Sequence, residues 1–176
     1  MLSIKNFLNS LMMKKYKYLI TFVFLCFLGN SHARESNLFD FYVLNVVDGD
    51  TIKVKFENKI KKIRLSAIDA PEIKQSSGKE SKKFLSDLIK KKKIKFYKLG
   101  TDRYGRLLGI IFYNDKDVNL EMIINGHAWV YRKYLRTIPK KYRNLYKNAE
   151  EEAKNRKIGL FKNIDAQPPW VWRSSN

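Results

Sequence analysis

Cysteine and histidine are nearly absent from this chain of 176 residues, which has one cysteine, Cys26, and two histidines, His32 and His127. That scarcity excludes a disulfide framework and zinc sites built from cysteine and histidine. Acid is also scarce: 17 Asp+Glu stand against 36 Lys+Arg, a formal net charge of +19. Such an imbalance points to a polyanionic partner, nucleic acid or an anionic membrane surface; the plainer reading is a lysine-rich solvated surface. Internal repeats are lacking, and the one long apolar run, over 18–28, is shorter than the roughly 20 residues of a membrane span. What is present is core-forming material, 44% hydrophobic and 14% aromatic, which argues against disorder.

The N-terminus reads as a targeting segment. Lys14, Lys15 and Lys17 precede the apolar run, and Ser31-His32-Ala33 puts small residues at the −3 and −1 positions of a cleavage site. The pattern predicts a secretory signal peptide over 1–33, cut after Ala33, and a secreted or periplasmic product. An uncleaved anchor is the alternative, since the segment before Lys14 is long for such a leader. Cys26 follows Leu25, not a small residue, so it is not read as a lipid-attachment site. Cleavage removes Cys26, His32 and four lysines but no acid, leaving a charge of +15 and a single imidazole, His127.

Residues 34–176 read as one domain. An apolar, β-branched run over 39–47 ends at the turn signal Asp48-Gly49-Asp50. Alternation over 51–56 places Ile52, Val54 and Phe56 on one face, and a strand over 59–67 returns with Ile63, Leu65 and Ala67 inward and Arg64 outward. Ser77 and Glu80 match a capping box ahead of a helix whose stripe is Phe84, Leu85, Leu88 and Ile89. Lys90 to Lys93 close it, as the helix dipole favours. Two more strands, over 94–99 and 107–113, flank a turn containing Arg103, Tyr104, Gly105 and Arg106. A short helix before Gly126 and a longer one starting at Pro139 follow, the latter with a core stripe of Tyr142, Leu145, Tyr146, Ala149 and Ala153. The tail from Gln167 to Arg173, with two prolines, is read as non-helical and docked through its tryptophans. The fold class is α+β, mainly β: a five-stranded OB-fold barrel with about three packed helices, because five strands with a helix between the third and fourth is the OB order.

Four of the few carboxylates (Asp48, Asp50, Asp69 and Glu72) fall at the two ends of one hairpin, with Arg64 between them. Clustered carboxylates repel unless something positive sits among them, so a hard cation is the leading reading. Asp50 and Asp69, with a backbone carbonyl and water, suit Ca²⁺; Asp48 alone reads as turn chemistry. Arg64 and Arg106 carry forked guanidinium groups matched to phosphate oxygens, and taken singly each would be a surface ion pair. Glu72 is left to orient or deprotonate a water. His127, a lone imidazole after a helix-ending glycine, reads as structural or exposed.

Val46-Val47-Asp48-Gly49-Asp50-Thr51, then Ile63-Arg64-Leu65-Ser66-Ala67-Ile68-Asp69-Ala70-Pro71-Glu72, then Thr101-Asp102-Arg103-Tyr104-Gly105-Arg106 closely resemble the three signature motifs of the staphylococcal nuclease family. The resemblance runs over about 39–161. It implies an OB-fold, Ca²⁺-dependent phosphodiesterase that cleaves DNA and RNA with little sequence preference and leaves 3′-phosphate ends. By motif position it makes Asp50, Asp69 and the Ala70 carbonyl metal ligands, Arg64 and Arg106 the phosphate clamp, and Glu72 the water-activating or water-orienting residue. Arg103 and Tyr104 fall where the family contacts substrate phosphate, and Tyr131 or Tyr134 is a candidate for base stacking. The loop from Glu72 to Ser77 is shorter than in the type enzyme, and Ala70 stands where that enzyme has threonine. A monomer is expected, with no protein partner. Two other readings compete: a non-catalytic OB-fold nucleic-acid-binding protein, and a cationic protein held on anionic lipid. Neither has a use for carboxylates gathered opposite a polyanion.

Overall fold

A computed structural model of the protein describes residues 37–175, and the signal peptide expected over 1–33 lies outside them. Strands β1 (Leu38–Val46), β2 (Thr51–Phe56) and β3 (Lys59–Leu65) form an antiparallel meander. Alternation drives it: Ile52, Val54, Ile63 and Leu65 are buried, while Lys53, Lys55, Lys61 and Lys62 are exposed. The third strand stops two residues short of Ala67, which takes a left-handed φ of 61°. That turn releases the two-residue strand β4 (Ile68–Asp69) from the barrel. Helix α1 (Gly78–Ile89) follows, then β5 (Lys93–Thr101), β6 (Leu107–Tyr113) and the short β7 (Lys116–Asp117).

The main sheet runs β3-β2-β1-β5-β6-β7, and a further parallel pairing of β3 with β6 joins its ends. Five strands thus close into a mixed barrel of the OB type, with irregularities at Val43/Asn45 and Lys98/Gly100 where the strands coil. Its interior holds Val43, Val46, Phe96, Ile110 and Ile111, and Leu85 and Ile89 of α1 join the same core. Helix α2 (Val118–Ile124) is capped by Asp117, whose carboxylate accepts from Leu120 N at 3.0 Å and from the Tyr146 hydroxyl at 2.8 Å. Strand β8 (Trp129–Val130), helix α3 (Lys140–Asn155) and helix α4 (Pro169–Ser175) complete the order, with 3₁₀ turns over Arg132–Thr137 and Gly159–Lys162.

Several local expectations are corrected. Ser77 does not cap α1 with its side chain: it sits at φ 66°, and its carbonyl accepts from the Ser81 hydroxyl instead. Pro139 precedes the first residue of α3 and is its cap. In the α3 stripe Tyr146 and Ala153 are buried, but Leu145 is exposed and the third buried residue is Glu150. The tail forms a helix after all, because Pro169 stands in its first turn, where the missing N–H costs nothing. Four α-helices are therefore described where about three were expected. As expected, Lys92 closes α1, its ammonium donating to the Asp87 and Leu88 carbonyls.

Candidate active site

The meander turn places the first acid. Asp48 accepts from Asp50 N at 3.0 Å, an Asx-type turn that matches the turn reading of Asp48. Gly49 is required there, since a Cβ would stand 2.5 Å from the Ala70 Cβ and 2.9 Å from that of Ser81. The turn consequently lies flat on the chain carrying Asp69 and Ala70. Asp50 accepts from Ala70 N at 2.9 Å, so one carboxylate fixes the backbone of the next candidate ligand.

Register supplies the rest. Thr51 faces Arg64 across β2–β3, which brings the Arg64 guanidinium between Asp50 and Asp69. It pairs with Asp50 Oδ2 and donates to Asp69 Oδ1 at 2.8 Å. Asp69 is only 1% exposed. Its strand β4 pairs with β8, Asp69 opposite Trp129. The buried Glu150 of α3 accepts from Val130 N at 2.7 Å and is balanced by Arg132 and Lys154. A helix carboxylate thus props the strand that props Asp69, a support no motif announces.

Barrel closure brings in the third motif. Parallel pairing sets Ile63 against Leu107 and Arg64 against Leu108, so the residue just before β6, Arg106, arrives beside Arg64. Asp102 organises that turn, accepting from Tyr104 N and Arg106 N at 2.9 Å and from Arg106 Nε at 2.7 Å. With Nε held, Arg106 offers its two terminal amino groups to a ligand. Although desolvation opposes it, the Arg106 contacts hold Asp102 below the usual carboxylate range. Gly105 permits the turn with φ 77°. Arg103 and Tyr104 lie exposed at the rim, joined by a 2.7 Å hydrogen bond.

Glu72 follows Pro71, and its backbone is closely held. A Cβ on Gly78 would lie 1.8 Å from the Glu72 carbonyl oxygen, so glycine lets α1 begin directly against this residue. Asp48, Asp50, Arg64, Asp69, Ala70, Glu72, Arg103, Tyr104 and Arg106 all line one cleft of about 750 Å³, together with Tyr131 and Tyr134. The structure therefore gathers every site residue read from the sequence. His127 is elsewhere, stacked on Phe84 at 4.2 Å, and burial pushes its pKa down; its reading as structural stands. The residue that sequence reading missed is Arg173, on α4, which contacts both Asp69 and Glu72. Nothing local to the tail announces it.

Asp48, Asp50 and Asp69 all act on the charge of the buried Arg64. Burial, and then the charge of Asp50, push Asp48 up to about 6. Asp69 is raised by burial and by Asp50, although Arg173 and Arg64 pull it down. The Asp50–Asp69 charge keeps the Arg64 guanidinium protonated despite its burial. Among the described residues no group of three or more His, Cys, Asp or Glu is close enough to enclose a metal ion alone. The acids gathered here, Asp50 and Asp69, offer oxygen alone, a donor type that suits a hard cation and no soft one.

Comparison with known proteins agrees with the geometry. Residues 62–163 match the family described as staphylococcal nuclease homologues. The chain belongs to the staphylococcal nuclease family. It is 38% identical over 166 residues to an uncharacterised endonuclease of Escherichia coli O157:H7, covering 92% of this chain and 98% of that one. An uncharacterised endonuclease of Haemophilus influenzae is 37% identical over 159 residues, 89% of this chain and 85% of its own. A micrococcal nuclease of Shigella flexneri is 32% identical over 143 residues, 76% and 80% of the two chains. The protein is a nuclease, its substrate a nucleic acid.

Proposed function

We propose that the protein is an exported, Ca²⁺-dependent, monomeric nuclease that cleaves DNA and RNA with little sequence preference and leaves 3′-phosphate ends. The observation that carries this reading is Arg64, held between Asp50 and Asp69 in a cleft that Glu72 and Arg106 also line. Asp50, Asp69 and the Ala70 carbonyl would hold the ion. Asp69 fits it, because burial raises its pKa and an added positive charge would favour its ionised form. When bound, Ca²⁺ supplies Lewis-acid polarisation of a phosphoryl oxygen.

The chain's own residues do the remaining work. Arg64 and Arg106 bind the non-bridging oxygens, and their fixed charge opposes the negative charge that builds on phosphorus during attack. Glu72 orients the attacking water through a carboxylate oxygen. Water adds to phosphorus as the bond to the 5′ oxygen breaks, and the proton that the water sheds ends on the departing 5′ oxygen, which leaves the phosphate on the 3′ side. Arg103 and Tyr104 hold a neighbouring phosphate at the rim, and the exposed Tyr134 offers a face for a base, whereas Tyr131 is already stacked on Trp170. Because these groups address phosphate, which DNA and RNA share, neither sugar is selected. Export follows from the signal pattern over 14–33, which would leave a secreted or periplasmic product.

The test is direct. Protein beginning at Arg34 is incubated with single-stranded DNA, duplex DNA and RNA, in Ca²⁺ or in chelator. Cleavage of all three in Ca²⁺, abolished by chelator and by Glu72→Ala, is expected. Retention of nucleic acid without cleavage under every ion would overturn the enzymatic reading in favour of binding alone.

A further inference from the structure

The tail returns to the cleft across more than ninety residues of sequence, and it does so by specific contacts. Gln75 Nε2 donates to the Gln167 carbonyl at 2.6 Å, while Gln75 Oε1 accepts from Glu72 N at 3.2 Å. One buried amide therefore ties the loop carrying Glu72 to the start of the tail. Trp170 then lies flat on Tyr131, with centroids 5.3 Å apart and planes 2° from parallel, and meets Trp129 edge-on at 6.3 Å. One helical turn later, Arg173 forks: one amino group reaches Asp69 Oδ2 at 2.7 Å and the other reaches Glu72 Oε1 at 2.8 Å.

We infer that Arg173 is a positioning residue of the active site, which fixes the Glu72 carboxylate relative to Asp69 for attack on the phosphodiester. The inference rests on the nuclease reading given above and extends it to α4. A glutamate side chain has three rotatable torsions, and Glu72 is partly exposed, so hydration alone would leave it many orientations. A guanidinium is planar and rigid, and a fork with one tine on a buried carboxylate sets where the other tine can hold its partner. Asp69 supplies that anchor, gripped on its other oxygen by Arg64. Each carboxylate oxygen has a second lone pair, so Asp69 can serve Arg173 and a cation together. The added positive charge also makes the cation bind more weakly than the acids alone would hold it. Arg173 thus trades metal affinity for a fixed Glu72.

The test compares the unmodified protein with Arg173→Gln and Arg173→Lys, after matched far-ultraviolet circular dichroism and thermal midpoints. For Arg173→Gln, kcat on single-stranded DNA is expected to fall roughly tenfold or more with KM little changed. Its Ca²⁺ dissociation constant by titration calorimetry, without substrate, should tighten about fivefold. A merely structural role would weaken both. Arg173→Lys keeps the charge without the fork, so its Ca²⁺ affinity should stay near the parent's while kcat recovers only in part. It also serves if the Gln variant fails to fold. An active parent with unchanged or raised kcat in Arg173→Gln would overturn the inference, raised kcat marking the tail as a plug. A parent inactive on every substrate would instead overturn the proposed function itself.

Discussion

Arg64 is the residue on which the site's charge balance turns. Among the described residues it is the cation that pairs with both Asp50 and Asp69, each almost fully buried, and removing it leaves Asp50 without a counter-ion and Asp69 with Arg173 alone. Arg64→Ala should therefore cost about 3–5 kcal/mol of stability in chelator, read by urea denaturation. Ca²⁺ should restore part of that loss and raise the midpoint more in the variant than in the parent. Activity in saturating Ca²⁺ should still drop by roughly 10²–10³, because one of the two guanidinium groups that oppose charge on the phosphate is gone. Arg64→Lys should keep much of the stability and recover little activity, since an ammonium cannot serve two carboxylates and a phosphate at once. Equal Ca²⁺ shifts in parent and Arg64→Ala would contradict this account.

At the scale of elements, the site is built at the seams. The β1–β2 turn, the ends of β3 and β4, the loop before α1 and the turn before β6 each contribute a side chain, and close backbone approaches lock them together. Gly78 is the tightest of these approaches. Gly78→Ala must push either α1 or Glu72 aside, at about 1–3 kcal/mol, and activity should fall further than that stability loss explains. Comparing kcat well below the thermal midpoint with the fraction folded measures the difference; activity that merely tracks the folded fraction would refute the link to Glu72. Asn119 plays a comparable part in the core, accepting from Ile111 N and donating to the Ser66 and Gly109 carbonyls. It ties the end of β3 to β6 where the parallel closure would otherwise leave polar backbone unpaired.

At the scale of the whole molecule, charge governs encounter. The β2–β3 hairpin shows a face of exposed lysines, and the chain carries +19 overall. Affinity for DNA should fall steeply with salt, with a log–log slope of roughly 3 or more. Glu72→Gln protein in chelator, titrated against labelled single-stranded DNA at several salt concentrations, measures the slope without cleavage. A slope near zero would show that base stacking, not the phosphate field, dominates binding.

The meander, the bounds of β2 and β6, and the facing of Arg64 were legible in the chain itself, because alternation and turn residues are local and their period fixes which side chains share a face. The acids at the ends of the hairpin were legible for the same reason. Less local features were not. The Ala67 corner is a left-handed turn at a residue with no preference for one, imposed by the pairing of β4 with β8. Glu150 belonged by periodicity to the neighbourhood of an apolar stripe, and only docking of α3 on β8 turned it into a buried support. Arg106 was known to be a cation in a turn; the parallel β3–β6 closure brought it beside Arg64. Arg173 reached Asp69 and Glu72 only when the tail folded as α4 over Tyr131. The sequence by itself determined which residues could do the chemistry, since that depends on side-chain type and local period. The tertiary structure decided which of them meet, since contacts a hundred residues apart depend on barrel closure and helix docking, and no short window of sequence encodes either.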